Sequence, residues 1–481
     1  MNSSFLQELT RDVMEASRVR PGQRVGTSVP NATGGTLIRP GGRECYPAFW
    51  IRDFGMSLEC GFITPEEQRH ALLLTAATQQ AGNWQTPSGS LVPHGAIADH
   101  INFDGTPIFF PGTYDPAAQG GEWGKLPALD DHFYFVEMAW QYCRQTGGRG
   151  ILCENVGGLT LLERLELAFS VPQPRPDTQL VWCDESNRGV SFGFTDSVIH
   201  TGELLFASLL RYRAARQLGE LTGNPRYGDI ADTIARSLPV VFSHPGGLLR
   251  ASTGVSSQPD VWGSAFAVYI GAVGGMVREK ICRALADACR ACTLAWRGNI
   301  RHVLTSDDFS AQSAWGNTVG SGPVNRYQNG AYWNTATGWV CFAIAQVDAP
   351  LAKQLADEFI EELREGDFRK GPEFGSPYEC RHPEGDHRQN PVYLTSVTCP
   401  LAAFARLGWI KDNRANASVV ATTDRREALK DADYVVVMIQ AGGELQTRAR
   451  RFVEGIPLGV NLVKIFKGIA AQTGIPLDIM N

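Results

Sequence analysis

Apolar residues recur at helical spacing in segment after segment from the N-terminus to about residue 410, and the connections between those segments are long. That alternation constrains the fold more than any other feature. Roughly a dozen candidate helices can be marked off in this way. Some carry a single apolar stripe. Leu351, Leu355, Phe359 and Leu363 share one face behind Asp348 and Pro350, with Glu and Lys opposite, so that helix buries one side only. Phe133, Val136 and Trp140 mark another such face after Asp131. Other segments are apolar nearly all round. Val198 to Leu218 is one, and a helix of that kind is buried on most sides. Thr64-Pro65-Glu66-Glu67 reads as a helix start, with Thr64 as cap, Pro65 in the first turn and Glu67 completing a capping box.

The loops cover 26–50, 81–128, 182–196, 303–331 and 367–393 and are rich in Gly, Pro, Asn and aromatic residues. Loops longer than about 15 residues are uncommon unless they carry function. Two kinds of helix joined by elaborate loops predict an all-α fold of two concentric rings, an (α/α)6 toroid, over residues 1–410. The character of the chain changes near 410–416. Residues 413–481 read as a small α/β tail with strand, helix, strand, turn and helix in order. Val435, Val436 and Val437 are taken there as a buried parallel strand.

Composition removes several function classes. The 481 residues carry a net charge of −6, without the basic face of a nucleic-acid binder. No run of 18 apolar residues exists to cross a membrane. The N-terminal MNSSFLQELTRDVMEA is amphipathic and lacks the apolar core of a signal peptide. Eleven cysteines, an odd number without a repeating framework, read as reduced thiols of a cytoplasmic protein. The expectation is a cytoplasmic enzyme with no nucleic-acid or membrane partner.

Five loop segments concentrate acids, amides and aromatics. In the first, Trp50, Arg52 and Asp53 suit a sugar, the indole stacking on a C–H face and the charged pair binding hydroxyls. A capped helix start with an internal Arg–Asp pair fits the same residues. In the second, Glu122 and Trp123 precede Asp130, Asp131 and His132, where one aspartate would serve as a cap. His94, His100 and His132 match no metal spacing and read as structural or hydroxyl-binding. In the third, Asp184 and then Asp196 precede a buried helix. The apolar walls of Phe192 and Phe194 would raise the pKa of Asp196, while a helix N-terminus would lower it. In the fourth, Gln328, Asn329, Tyr332, Trp333 and Trp339 read as sugar-facing. In the fifth, Arg381, Arg388 and two histidines would keep Glu379 ionised, although a plain surface loop with salt bridges fits as well. Cys282, Cys289 and Cys292 read as core thiols, because zinc needs more ligands. Phosphate-loop, serine-hydrolase and zinc-protease motifs are absent.

In order, FWIRD, PALDDHFYF, FGFTDSVIHTG, QNGAYWNTATGW and SPYECRHPEGDHRQNPVYLTS resemble the (α/α)6-barrel glycoside hydrolases, the six-hairpin group that includes debranching amylo-glucosidases, trehalases and family 63 glucosidases. The resemblance spans roughly residues 40–410. It implies cleavage of terminal glycosidic bonds, with no cofactor and no metal, by two carboxyl groups. Asp196 matches the general acid and Glu379 the general base, with Asp131, Glu122 and Asp184 in reserve. Asp53, Trp50 and Arg52 match the segment that holds the non-reducing sugar. Most members invert, which places the carboxyls about 6.5–9.5 Å apart. A phosphorylase, or a lyase or epimerase, on the same fold is the alternative. The tail stretch TTDRREALKDADYVVVMIQAGG is similar to part of the NAD-binding fold of family 4 glycosidases, and 444–469 to lactate and malate dehydrogenases. The glycine-rich phosphate loop is missing, so the tail is expected not to bind NAD. Its exposed strand edges make it a candidate homo-oligomer contact.

Overall fold

Twelve α-helices stand among the described residues of the computed structural model. Those residues are 3–43, 45–87, 89–110, 124–307, 325–384 and 387–410, with the backbone of 434–437 and 450–453. In chain order the helices are α1 (Ser3–Ser17), α2 (Ile51–Ser57), α3 (Pro65–Ala77), α4 (Asp131–Thr146), α5 (Leu161–Ser170) and α6 (Leu205–Thr222). There follow α7 (Pro225–Val241), α8 (Val261–Tyr269), α9 (Gly275–Arg290), α10 (Thr337–Ala345), α11 (Ala349–Glu365) and α12 (Thr395–Arg406).

Burial alternates along this order. Every residue of α2 and of α8 is buried, and α10 and α12 are nearly so. The α8 sequence VWGSAFAVY offers no polar face, so it must be covered all round. By contrast α9 and α11 bury one stripe and turn Arg, Lys and Glu outward. The even-numbered helices pack on one another in sequence: α2 on α4, α4 on α6, α6 on α8, α8 on α10, α10 on α12, and α12 back on α2. The odd-numbered ones pack outside them, α1 on α12, α3 and α5 on α4, α7 on α6, α9 on α8 and α10, and α11 on α10. Gly338 lets α10 approach α12 closely, since a Cβ there would lie 2.7 Å from Ala403 and Pro400. The capping box at α3 forms as read, Thr64 accepting from the Glu67 amide at 3.2 Å and Glu67 from the Thr64 amide at 2.9 Å.

Two small antiparallel sheets fasten the loops. One joins Ala48–Trp50, His100–Asn102 and Pro107–Ile108. The other has five strands in chain order, Ala295–Trp296, Asn299–Ile300, Tyr332–Trp333, Tyr378–His382 and His387–Pro391. Strands of two to five residues carry too short a pattern to be read as strands; five of these eight stretches fall in the expected loops 26–50, 81–128 and 367–393.

Two expectations are corrected. The buried helix begins at Leu205, not near Val198: residues Gly193–Thr195 form a 3-10 turn, and Gly202–Glu203 pairs with Trp182–Cys183 before α6 starts. In the tail, Tyr434–Val437 pairs antiparallel with Arg450–Val453, where a parallel strand and then a helix were expected. An antiparallel partner needs only a turn-back, whereas a parallel one needs a long crossover. The remaining tail expectations lie outside the described residues. The chain divides into the units Met1–Arg414 and Ala415–Asn481. Among the described residues no helix is long and apolar enough to cross a membrane, and all eleven cysteines are free thiols.

Candidate active site

The residues of interest lie on the segments that lead into the even-numbered helices. The first cluster forms around Arg52 in the first turn of α2. Strand pairing sets Trp50 opposite His100, and the Ile51 amide donates to the Asp99 carbonyl, so Asp99 arrives beside Arg52. The guanidinium meets Asp99 at 2.6 Å, Asp130 at 2.9 Å and Asp131 at 2.8 Å, all buried. Asp130 also accepts from the Gly193 amide at 2.8 Å. Gly193 is required here, because a Cβ would lie 2.0 Å from Arg52. Asp99 further binds His100 Nδ1 at 2.7 Å, and the His100 ring stacks on Trp50 at 4.2 Å. Burial would raise the Asp99 carboxyl, but the Arg52 charge and His100 outweigh it and hold it down at about 2. The aspartates at the start of α4 therefore bind Arg52, and Asp130, at the cap position, makes no side-chain cap bond, contrary to the capping expectation.

Three further carboxyl groups meet neutral partners. Asp53 accepts from the Tyr393 hydroxyl at 2.8 Å. Asp196 accepts from Gln328 Nε2 at 2.7 Å, and Gln328 is itself fixed by the Ser197 amide and hydroxyl at 2.8 and 2.7 Å. Glu379 accepts from the Tyr46 hydroxyl at 2.7 Å and from Asn390 Nδ2 at 2.5 Å. The five-stranded sheet sets Asn390 on the strand beside Glu379. Backbone bonds from Gly42 to Val392 and from Leu394 to Pro40 carry the Tyr46 segment to the same place.

Burial pushes Asp196 up to about 7 against the opposing Gln328 bond. It pushes Glu379 up to about 8, against the Tyr46 and Asn390 bonds and helped by the charges of Asp53 and Asp196. Asp53 rises to about 7, again through burial, with Arg52 and Tyr393 pulling the other way. Asp196 is partly accessible, whereas Glu379 is 2% exposed. Glu379 thus senses the charges of Asp53 and Asp196, although 53, 196 and 379 are far apart in the chain.

No protein-family profile and no curated protein sequence matches the chain. Solved structures do. A rhamnosidase from Klebsiella oxytoca with rhamnose bound matches with a TM-score of 0.51 and 12% identity, over 85% of this chain and 64% of its own length. A wild-type glycosidase matches with a TM-score of 0.50 and 15% identity, over 85% of this chain and 98% of its own. A glycosidase variant in complex with glucose matches with a TM-score of 0.50 and 14% identity over the same shares. This chain has a glycosidase fold. At such identity the likeness concerns the fold, and chemistry has to be argued from the site.

Not every residue singled out in the sequence joins this site. Trp333 is inaccessible and Trp339 is 4% exposed, packed among Phe206, Phe266 and Tyr269, so neither ring can stack on a sugar. His132 is buried, accepts from the Ile97 amide at 3.3 Å and is pushed down to about 4 by burial, as a structural histidine is. Tyr332 sits in the five-stranded sheet beside His382, and Asn329 in a buried turn. Arg388 is exposed and lies across the strand pair from Arg381, which is held by Glu362. The expectation that these cations keep Glu379 ionised is therefore corrected: its partners are uncharged. Asp184 is exposed and closes a turn with Ser186 and Asn187. Glu122 and Trp123 lie outside the described residues. The sequence reading missed the roles of Tyr46, Asp99, Tyr327, Asn390 and Tyr393. Three of them, Tyr46, Tyr327 and Asn390, sit in left-handed backbone with φ of 53°, 46° and 47°, which no sequence pattern announces.

Proposed function

We propose that this chain is an inverting, exo-acting glycoside hydrolase of short oligosaccharides or glycosides, built on an (α/α)6 toroid. The closed order of packing among the even-numbered helices, with the odd-numbered ones outside, supports that architecture. The observation that carries the chemistry is the meeting of Asp196 and Glu379 in one electrostatic neighbourhood, each bound only to neutral donors.

Asp196 protonates the leaving oxygen, and Glu379 takes a proton from the attacking water. The two values lie close together near neutrality, so hydrogen bonding decides the roles better than their order. Asn390 can only donate through Nδ2, and with Tyr46 it places a donor on each Glu379 oxygen, the arrangement a carboxylate wants. Asp196 has a single side-chain donor, Gln328, beside the Ser197 backbone amide. Asp53 and Trp50 serve the non-reducing sugar, while Arg52 ties the surrounding loops. A phosphorylase would need cations beside the base, and the groups there are Tyr46 and Asn390.

The test is turnover on a panel of aryl α- and β-glycosides, with the first-formed product anomer followed by NMR. Inversion is expected. Asp196→Asn and Glu379→Gln should each cut turnover by at least about 100-fold with folding intact. Near-wild-type turnover in either variant would reject its role.

A further inference from the structure

We infer that Tyr46 and Asn390 are positioning residues that clamp the two oxygens of Glu379. The inference rests on the reading of Glu379 as the general base and deepens it. Tyr46 donates to Oε1 at 2.7 Å and Asn390 to Oε2 at 2.5 Å, from opposite ends of the chain. One donor on each oxygen fixes the carboxylate plane and leaves the remaining lone pairs for a water. Tyr327, from another loop, lies beside Tyr46 and in the field of both Asp196 and Glu379.

All three residues adopt left-handed backbone, at φ of 53°, 47° and 46°. Asparagine tolerates that region, but a tyrosine there is unusual, and such conformations persist where the surroundings over-determine them. Val392, two residues beyond Asn390, has φ of 61° and a β-branched side chain. The strain is thus concentrated in the segments that carry these residues, which come from three different loops.

The groups that face Glu379 define what titration would report. Asp53 and Asp196 add negative charge, and Tyr46 and Asn390 donate. The Tyr327 and Tyr393 hydroxyls and the Cys45 and Cys380 thiols also lie in its field. Burial and these neighbours raise the tyrosines well above their usual range, so they remain protonated donors. Removing a donor makes the Glu379 carboxylate harder to form, so fewer molecules hold Glu379 ionised with Asp196 protonated.

Tyr46→Phe and Asn390→Gly test the clamp, glycine keeping the left-handed backbone accessible. In each, kcat should fall about tenfold or more with KM within about twofold, and the pH optimum of kcat/KM should move upward. Asn390→Asp, which replaces a donor by a charged acceptor, should move it further. Tyr327→Phe should move it in the same direction by less. Thermal unfolding of each variant confirms the fold. Folded Tyr46→Phe and Asn390→Gly enzymes with an unmoved pH optimum would overturn the clamp while Glu379→Gln still abolished turnover. Activity retained by Glu379→Gln would instead overturn the base itself.

Discussion

Two groups of buried carboxylates lie side by side and are held by different kinds of partner. Around Arg52, three aspartates share one guanidinium, and Asp99 is held at about 2. Around Asp196 and Glu379, the bound partners are an amide, a phenol and another amide, and the two carboxyls rise to about 7 and about 8. Burial is common to both clusters, and direct ion pairing to Arg52 distinguishes the first; there it outweighs burial at Asp99 but not at Asp131, which stays well above the usual carboxylate range. A carboxylate with a cation is a fixed strut, whereas one with only neutral donors can exchange a proton near neutrality. On the proposed function, the first cluster is structural and the second is the catalytic pair.

The sharpest way to break that contrast is to remove the cation. Arg52→Met should leave Asp99 and Asp130 buried without compensation and cost about 3–5 kcal/mol of stability. Denaturant unfolding would measure it. A loss below about 1 kcal/mol would mean that the cluster is not the strut described. Turnover should fall too, because Asp130 and Gly193 connect Arg52 to the Asp196 loop.

A smaller effect concerns pH. Asp196 and Glu379 bind their protons more tightly in the folded chain than at their ordinary values of 3.8 and 4.5. Their contribution to stability is therefore full below those values and is lost as pH rises through about 7 and about 8. The midpoint of thermal unfolding should fall between pH 5 and pH 8, and Glu379→Gln should flatten that fall by about 2 °C or more. An unchanged slope in the variant would place the titration elsewhere.

Much of this was legible in the sequence, and what was not has physical reasons. Helix kinds follow from apolar patterning, as in α8 and α11, and the α3 capping box was readable from Thr64 and Glu67. Asp196 and Glu379 stood out because an acid in an aromatic-rich loop is costly without a purpose. Their surroundings did not. The start of α6 was misplaced because Val198 to Leu205 is apolar enough to mimic helix, while a single two-residue strand pair delays it. Tyr46, Tyr327 and Asn390 work through left-handed backbone and long-range pairing, which leave no period in the text. Trp333 and Trp339 looked like sugar platforms, yet aromatic residues fill this core as readily as they line a site.

The central claim is that Asp196 gives a proton to the leaving group and Glu379 takes one from water. Leaving-group dependence tests it most directly, because an activated aryl glycoside departs without protonation but still needs the attacking water to be deprotonated. With the responsive sugar, Asp196→Asn should retain most hydrolysis of the dinitrophenyl glycoside and lose that of the alkyl glycoside, while Glu379→Gln loses both. The reverse pattern, or equal loss of both substrates in Asp196→Asn, would contradict the account.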